Sequence, residues 1–420
     1  GRVQGEAGEP GGDAVKAFPI WITFVMLVAP LLAVVPSNTE LVDINRKAGT
    51  SLESGFCQGG GPGAGGVASE VLSQQNSPYY ANSSILLDNC NLQIGAGVII
   101  YLASNVNFLI EGDSEVSIEG LEGSPVTFTS TPGSGADWGD LLIESEYDHN
   151  LGEMSISYAV IENGGVSVSS QSGYEPSVYI NNSVFYNSSI SISDESEVIL
   201  ENSFLRDSSV DHLDTTDMNT GLYTPKFNSS HSTFVRSDVS AWSYDEITSN
   251  IFVYDTTISD GTNAGNWRNN CFKGSTFNTW GDVTSPYFEN NTFNDSILYL
   301  DWYSNFDQEN NFIDMGAESV ISPEGPSGSD DTMWMEGQWW GTTVTSAIDS
   351  IILDGSDSGN SQRTTVDYDP VATSQGHFPC ESAGADIPGF SDGDGDGIID
   401  DLDVCPGGMT GWTSDTDTDT

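Results

Sequence analysis

A repeated tripeptide in the middle of the chain constrains its fold more than any other feature. Each copy has Asn or Ser, then a variable residue, then a large apolar residue, and successive copies lie 20, 30, 18, 20, 21 and 19 residues apart. The copies are 182–184, 202–204, 232–234, 250–252, 270–272, 291–293 and 310–312. A step of about 20 residues predicts a parallel β-helix, in which short strands stack coil upon coil. A leucine-rich repeat has a similar step, but its leucine framework is missing here.

Strand alternation assigns a role to each position of the repeat. It predicts that the third residue, such as Phe272 or Phe293, points into the coil and that the middle residue, such as Cys271, points outward. The third residues should therefore stack into an aromatic column. Asparagine tolerates left-handed backbone angles at a corner and can bond to the asparagines above and below it. We therefore expect the repeated asparagines to form structural ladders rather than a binding site.

Two flanking regions carry a resemblance to a known group. Residues 124–130, Asp137-Trp-Gly-Asp140 and 161–165 resemble the early coils of microbial cell-surface right-handed parallel β-helix repeat proteins. Residues 339–343, 347–349, 352–354 and 366–370 resemble the closing segment of that group, with Gln338 where its members often carry Asn. The resemblance covers about residues 77–373. It implies an all-β, pectate-lyase-like, right-handed solenoid and leaves the activity open.

An aspartate-rich loop follows near the C-terminus. Its spacing D-x-D-x-D-G-x-x-D-x-x-D-x-C-P resembles the thrombospondin type 3 repeat, which binds calcium. The resemblance and the preference of Ca²⁺ for oxygen ligands give a predicted metal site. Its residues are Asp392, Asp394, Asp396, Ile398, Asp400 and Asp403. An EF-hand would place Glu at the position of Asp403 and would need flanking helices, which the Pro and Gly residues on both sides exclude. A solvated acidic linker is the alternative.

The predicted organisation of the chain has six parts. They are a disordered tail (1–16), a signal peptide or signal anchor (17–36), a Gly-rich linker (37–76), the β-helix (77–375), a second linker (376–390) and a truncated thrombospondin type 3 repeat (391–420). Residues 17–35 carry no charge and approach the length of a membrane span, although Pro19 and Pro30 weaken a regular helix. Either form of the segment predicts an extracellular or cell-surface protein. The missing initial Met and the broken-off Asp-Thr repeat lead us to expect a piece of a longer protein.

Net charge restricts the partners. The chain has 62 acidic and 10 basic side chains, a formal charge of -52. This charge argues against nucleic acid, and it argues against anionic membranes and polyanions unless calcium bridges the two. The expected partner is an extracellular carbohydrate or a cell-surface protein. Membrane contact is expected only through the N-terminal segment or a region beyond residue 420.

The cysteines are far apart and form no CxxC pair that would suggest zinc or redox chemistry. A disulfide between Cys57 and Cys90 could brace the start of the folded region. For Cys405 two partners remain open, namely Cys380 or a cysteine beyond the end of the sequence.

Catalysis is the competing interpretation, because right-handed β-helices often act on polysaccharides. A lyase or glycoside hydrolase would need convergent carboxylates, or an arginine, beside a groove. The polygalacturonase motifs are absent, and Arg206, Arg236 and Arg268 are expected at rung edges or turns. Trp302 and Tyr303 are the predicted carbohydrate contacts, and the Asp211–His212–Asp214 cluster is the strongest candidate for an unexpected activity. The sequence favours a structural and adhesive role over an enzyme.

Overall fold

The computed structural model describes residues 49–53, 56–57, 67–134, 136–145, 153–170, 175–213, 225–241, 245–261, 265–279, 286–301, 304–307, 309–324, 332–357, 363–377 and 379–381. The predicted tail and export segment, the aspartate loop at 392–403 and Cys405 lie outside these residues. No helix in the described ranges is long and apolar enough to cross a membrane.

Three long parallel sheets contain most of the strands in the described part of the chain. Sheet A contains β1 (Thr50–Leu52), β3 (Tyr79–Ala81), β6 (Ile99–Leu102), β9 (Val126–Ser130), β12 (Ala159–Glu162), β15 (Val184–Tyr186), β18 (Phe204–Arg206), β21 (Thr233–Val235), β24 (Ile251–Val253), β27 (Cys271–Lys273), β30 (Thr292–Asn294) and β33 (Asn311–Ile313). Sheet B contains β4 (Ile85–Asp88), β7 (Phe108–Glu111), β10 (Asp140–Ser145), β13 (Gly165–Ser170), β16 (Ser189–Ser193), β19 (Ser209–Leu213), β22 (Asp238–Ala241), β25 (Thr257–Asp260), β28 (Thr276–Thr279), β31 (Ile297–Tyr299), β34 (Val320–Ile321) and β36 (Ile352–Leu353). Sheet C contains β2 (Ala68–Leu72), β5 (Cys90–Gly95), β8 (Glu115–Glu119), β11 (Glu153–Ser157), β14 (Ser177–Asn181), β17 (Glu197–Glu201), β20 (Lys226–Ser230), β23 (Glu246–Thr248), β26 (Asn266–Arg268), β29 (Tyr287–Glu289) and β32 (Asn305–Phe306).

Consecutive strands along the chain belong to sheets C, A and B in turn. In one coil, for example, β14 lies in sheet C, β15 in sheet A and β16 in sheet B, and each pairs in parallel with the strand three places later. This topology is that of a parallel β-helix with three strands per coil, which confirms the all-β class and the stacked coils predicted from the repeat.

One inward column of sheet A is aromatic over the later coils. Its members are Phe234, Phe252, Phe272, Phe293 and Phe312. Neighbouring rings stack with centroids 4.8, 5.0, 4.8 and 5.2 Å apart, and Trp340 continues the stack at 4.3 Å from Phe312. These rings are buried inside the coil. The column therefore contributes both apolar burial and ring stacking to stability.

The first two copies of the repeat differ from the prediction in their register. Phe185 pairs with Leu205, and Leu205 pairs with Phe234 of the aromatic column. Phe185 and Leu205 therefore point inward, whereas Val184 and Phe204, the residues predicted to do so, point outward. Two adjacent apolar residues follow Ser183 and again Ser203, so the sequence pattern could not determine which of the two faces the core.

A buried amide ladder follows the inner side of one corner. The backbone N–H of Asn250 donates to Oδ1 of Asn270, that of Asn270 to Asn291, and that of Asn291 to Asn310, each at 2.9 Å. Gln338 ends the ladder, because its Oε1 accepts the backbone N–H of Asn310 at 3.0 Å. The predicted ladder is present in these coils, and Gln338 is its last member.

The left-handed backbone angles lie one residue before the ladder. Asn269 and Asn290 have φ of 54° and 57°, and Asn182 and Asn202 have φ of 46° each. The prediction gave both roles to one asparagine, and it is wrong in this respect. In the earlier coils Asn takes the corner and Ser takes the ladder position: the Ser183 N–H donates to Ser203 Oγ at 3.2 Å.

The C-terminal end is closed by a short helix and a strap. Helix α1 (Thr345–Ile351) precedes β36, and β35 (Thr332–Trp334) pairs in parallel with β37 (Thr365–Asp367). Residues 371–377 and 379–381, here called the strap, return along the outer face of sheet A. The Asn311 side chain holds the strap, since its Nδ2 donates to the His377 carbonyl at 2.6 Å and its Oδ1 accepts the Gly376 N–H at 3.0 Å.

The described residues contain two disulfides. One joins Cys57 to Cys90, the pair that the sequence suggests. The other joins Cys271 to Cys380, which contradicts a pairing of Cys380 with Cys405, one of the two alternatives considered for Cys405. Cys271 points outward from its strand, as predicted, and the returning strap brings Cys380 onto it.

The coil begins before residue 77. Strand β1 pairs with β3 and β2 pairs with β5, although both lie in the segment that the sequence suggests is a linker. These strands are short and each buries one residue, Leu52 and Leu72, so they give no alternating apolar pattern.

Candidate functional site

A lateral cleft of about 500 Å³ lies where sheet A turns into sheet B. Its floor belongs to the first outward column of sheet B, in which Asp140, Gly165, Ser189, Ser209 and Asp238 are in register. Small residues thus stand between two aspartates. Because neighbouring strands lie about 4.8 Å apart, the column from Asp140 to Asp238 extends for about 19 Å along the coil axis.

Two glycines, Gly164 and Gly165, keep this cleft open. A Cβ on Gly165 would lie 2.5 Å from both Oδ1 of Asp140 and Oγ of Ser189. A Cβ on Gly164 would lie 2.1 Å from the ring of Trp138. Trp138 itself is buried and donates from Nε1 to the Glu162 carbonyl at 2.7 Å. Its ring therefore supports the wall of the cleft and is not free to stack on a ligand.

An arginine–aspartate pair forms the corner of the cleft. Arg236 donates from Nε and Nη2 to the two carboxylate oxygens of Asp207 at 2.8 and 3.1 Å. Arg206 adds a contact of 3.4 Å between its Nε and Asp207 Oδ2. Burial opposes ionisation of Asp207, but the hydrogen bonds and charge of Arg236, aided by Arg206, lower its pKa below the usual value. Asp207 is thus held as a carboxylate and Arg236 is fixed in place.

Asp140 stands at the other end of the floor. Its backbone N–H donates to Oδ1 of Asn107 at 2.9 Å, which fixes the start of β10. Burial raises the pKa of the Asp140 carboxyl above its usual value. Together with Asp137, Asp207 and Asp238, it makes the cleft acidic. The arrangement offers hydroxyl, amide and carboxylate groups on a rigid backbone.

A second acidic pocket, also of about 500 Å³, lies near the C-terminal closure. Two of its carboxylates are used in local structure: Asp354 accepts the Val366 N–H at 2.7 Å and the Ser356 hydroxyl at 2.6 Å, and Asp349 accepts the Tyr368 hydroxyl. Across the described ranges, no group of three or more His, Cys, Asp or Glu side chains is arranged to hold a metal ion.

The lining of the cleft includes none of the residues predicted for calcium or carbohydrate binding. Trp302 and Tyr303 lie outside the described residues, as do all six predicted calcium ligands. Arg268, on the outer face of sheet C, contacts Glu246 and Glu289 at 3.3 and 3.2 Å. His212 lies inside the coil, where its Nδ1 is 3.6 Å from Asp245 Oδ2. Burial lowers the pKa of His212 to about 3. It is therefore closed to a substrate rather than part of an exposed cluster.

Sequence reasoning missed the cleft because its residues come from five separate coils. The signal that could have found it is the repeat itself: with coils aligned, Asp207 and Arg236 fall at one corner, and the Gly and Ser residues fall on one floor. Comparisons with family models, with curated proteins and with solved structures give no match for this chain.

Proposed function

We propose that this protein is a secreted or surface-attached structural and adhesive protein. Its β-helix, right-handed by its resemblance, would present the lateral cleft to an extracellular carbohydrate, on a stalk stabilised by Ca²⁺ bound at Asp392–Asp403. The observation that carries the proposal is the cleft: a polar groove several coils long whose floor is made of small residues.

The chemistry of the cleft fits the hydroxyl groups of a sugar chain. Ser189 and Ser209 can donate or accept hydrogen bonds, and the carboxylates of Asp140 and Asp238 accept them. The acidic lining disfavours an anionic polysaccharide, since Arg236 is already neutralised by Asp207. A neutral glycan lying along the coil axis is the ligand class that these groups favour.

A polysaccharide hydrolase or lyase is the second candidate. The raised pKa of Asp140 supports it, because the general acid of such an enzyme has a raised pKa. Two observations weigh against it. Asp140 and Asp238 are about 19 Å apart along the column, farther than the two carboxylates of a glycosidase. Arg236 is held by Asp207 and is not available as the base of a lyase.

The test uses a substitution that fills the cleft and leaves the core residues unchanged. Ser189→Trp places a large side chain on the floor, and Ser191→Trp places the same side chain two residues later on β16, on the outer face beyond the lining residues. Titration of neutral oligosaccharides into the intact chain should show binding that Ser189→Trp abolishes and Ser191→Trp retains. Equal binding by both variants would place the ligand elsewhere, and no binding by the unmodified chain would refute a neutral glycan as its ligand.

A further inference from the structure

The disulfide between Cys271 and Cys380 joins the strap to an internal strand of sheet A. Cys271 lies in β27, which pairs with β24 on one side and with β30 on the other. The two cysteines are 109 residues apart in the sequence. A force applied to the chain after Cys380 therefore enters the coil at β27, and the residues between the two cysteines are not in its path.

The coils inside this 109-residue loop have the shorter strands. Strands β32, β34 and β36 contain two residues each, whereas β5, β10 and β13 nearer the N-terminus contain six each. Stacked coils are held by their nearest neighbours, so a coil at the end of the stack can be pulled off before the others. A force applied directly to this end would therefore open the most weakly paired coils first.

Without the disulfide, a force on the strap would act on hydrogen bonds. The Asn311 amide bonds to the strap at Gly376 and His377, which are both exposed. The Ala372 N–H donates to the Gln338 carbonyl at 3.0 Å. Hydrogen bonds that compete with water each contribute little to stability. These contacts place the strap on sheet A, but they resist a force far less than a covalent bond does.

The strand that receives the force is held from both sides. Asn270, the residue before Cys271, belongs to the amide ladder and bonds to the preceding and the following coil. Phe272, the residue after it, stacks between Phe252 and Phe293 with centroids 5.0 and 4.8 Å away. Pulling β27 out of the coil would thus break two strand pairings, the amide ladder and the aromatic column together.

The disulfide between Cys57 and Cys90 has the same arrangement at the other end. Cys90 begins β5, which pairs with β2 and with β8, and its N–H donates to Ser114 Oγ at 3.1 Å. A force applied to the chain before Cys57 therefore enters the coil at another internal strand. Between them, the two disulfides direct a force through the coils from β5 to β27.

We propose that the two disulfides are a mechanical clamp, which transmits tension between β5 and β27 and protects the C-terminal coils from unravelling. The inference rests on the proposed function, because a protein comes under tension when it is attached to a surface and holds a ligand. The strands that form the floor of the lateral cleft, from β10 to β22, lie between β5 and β27. Tension from a bound glycan would thus reach Cys380 through β27 without passing through the weaker end coils.

Single-molecule pulling on the intact chain tests the clamp. Handles are attached to the two chain ends, with no carbohydrate or Ca²⁺ present, so the result does not depend on ligand binding. We expect Cys271→Ser combined with Cys380→Ser to lower the force at which the coil first opens. Below the force that opens the remaining coils, this variant should lengthen by about 360–390 Å more than the unmodified protein, the extended length of 109 residues. Equal lengthening of the two proteins in this range of force would overturn the proposal.

A second attachment point separates the path of the force from a general loss of stability. With one handle moved from the C-terminus to Lys273, an exposed residue of β27, the disulfide lies outside the path. The two substitutions should then leave the opening force unchanged. An equal fall at both attachment points would mean that the disulfide only stabilises the fold, and would refute the clamp.

The unmodified protein decides the question if the variant does not fold. Because the force enters β27 in either case, pulling at the C-terminus and pulling at Lys273 should open the coil at the same force. A lower opening force at the C-terminus would show that the end coils carry the tension, which contradicts the proposal.

Discussion

Each buried amide of the asparagine ladder satisfies groups in two coils at once. Asn270 accepts the N–H of Asn250 and donates from Nδ2 to the Ile247 carbonyl at 2.8 Å in the preceding coil. It also donates from Nδ2 to Oδ1 of Asn291 at 3.1 Å in the following coil. A buried N–H or carbonyl without a hydrogen-bond partner destabilises the folded state by roughly 1–3 kcal/mol. The ladder avoids this destabilisation at each corner because it supplies the missing partners. Serine does the same at Ser183 and Ser203 with a shorter side chain. This equivalence explains why the sequence pattern could assign the ladder but not its residue-by-residue register.

Asp260 is a buried carboxyl group, and its burial predicts that the stability of the protein depends on pH. It accepts Trp267 Nε1–H at 2.6 Å, and burial raises its pKa to about 7, against the opposing effect of that bond and of the Gly265 N–H. The folded state therefore keeps a proton that the unfolded state has released above about pH 4. Under this linkage, stability falls as pH rises from about 4 to about 7.

The comparison of unmodified protein with Asp260→Asn isolates this effect from the other acids. The free energy of unfolding of the variant, measured by urea denaturation at several pH values, should lack the part of the decline that Asp260 causes between pH 4 and 7. The asparagine can still accept the Trp267 hydrogen bond, which preserves the local packing. Parallel pH profiles for the two proteins would contradict the prediction.

Within a strand, a side chain that points into the coil contributes more to the free energy of unfolding than one that points outward. Phe272 stacks on Phe252 and Phe293 in the aromatic column, so Phe272→Ala leaves a cavity between two rings. We expect a loss of about 3–5 kcal/mol in the free energy of unfolding. Tyr299→Ala, on the outer face of sheet B, should cost far less. If both variants lost the same small amount of unfolding free energy, the aromatic column would not be a main source of core stability.

Strands could be predicted where the repeat contains one apolar residue flanked by polar ones, as in 270–272 and 291–293. They could not be predicted where two apolar residues adjoin, as at Val184 and Phe185, or where a strand buries a single side chain, as in β1 and β2. The lateral cleft and the partner of Cys380 depend on contacts between distant coils and on the returning strap. Neither leaves a local pattern in the sequence.

The whole molecule combines a rigid coil with a strongly acidic surface. Repulsion among the acids should be relieved by a bound cation, and the aspartate loop is the predicted place for Ca²⁺. Calorimetric titration of Ca²⁺ into the chain should show binding that Asp394→Ala and Asp396→Ala abolish. Asp386→Ala, outside the predicted ligand set, should retain it. An unmodified chain that releases no heat would contradict the calcium-stabilised stalk.

We propose that the coil holds a carbohydrate without cutting it. The most direct measurement incubates the intact chain with the oligosaccharide that it binds and follows both the bound fraction and the release of reducing or unsaturated ends. We predict saturable binding that Ser189→Trp removes, with the oligosaccharide recovered at its original length. Shortened products whose formation stops in Asp140→Asn would contradict the claim and identify the cleft as an active site.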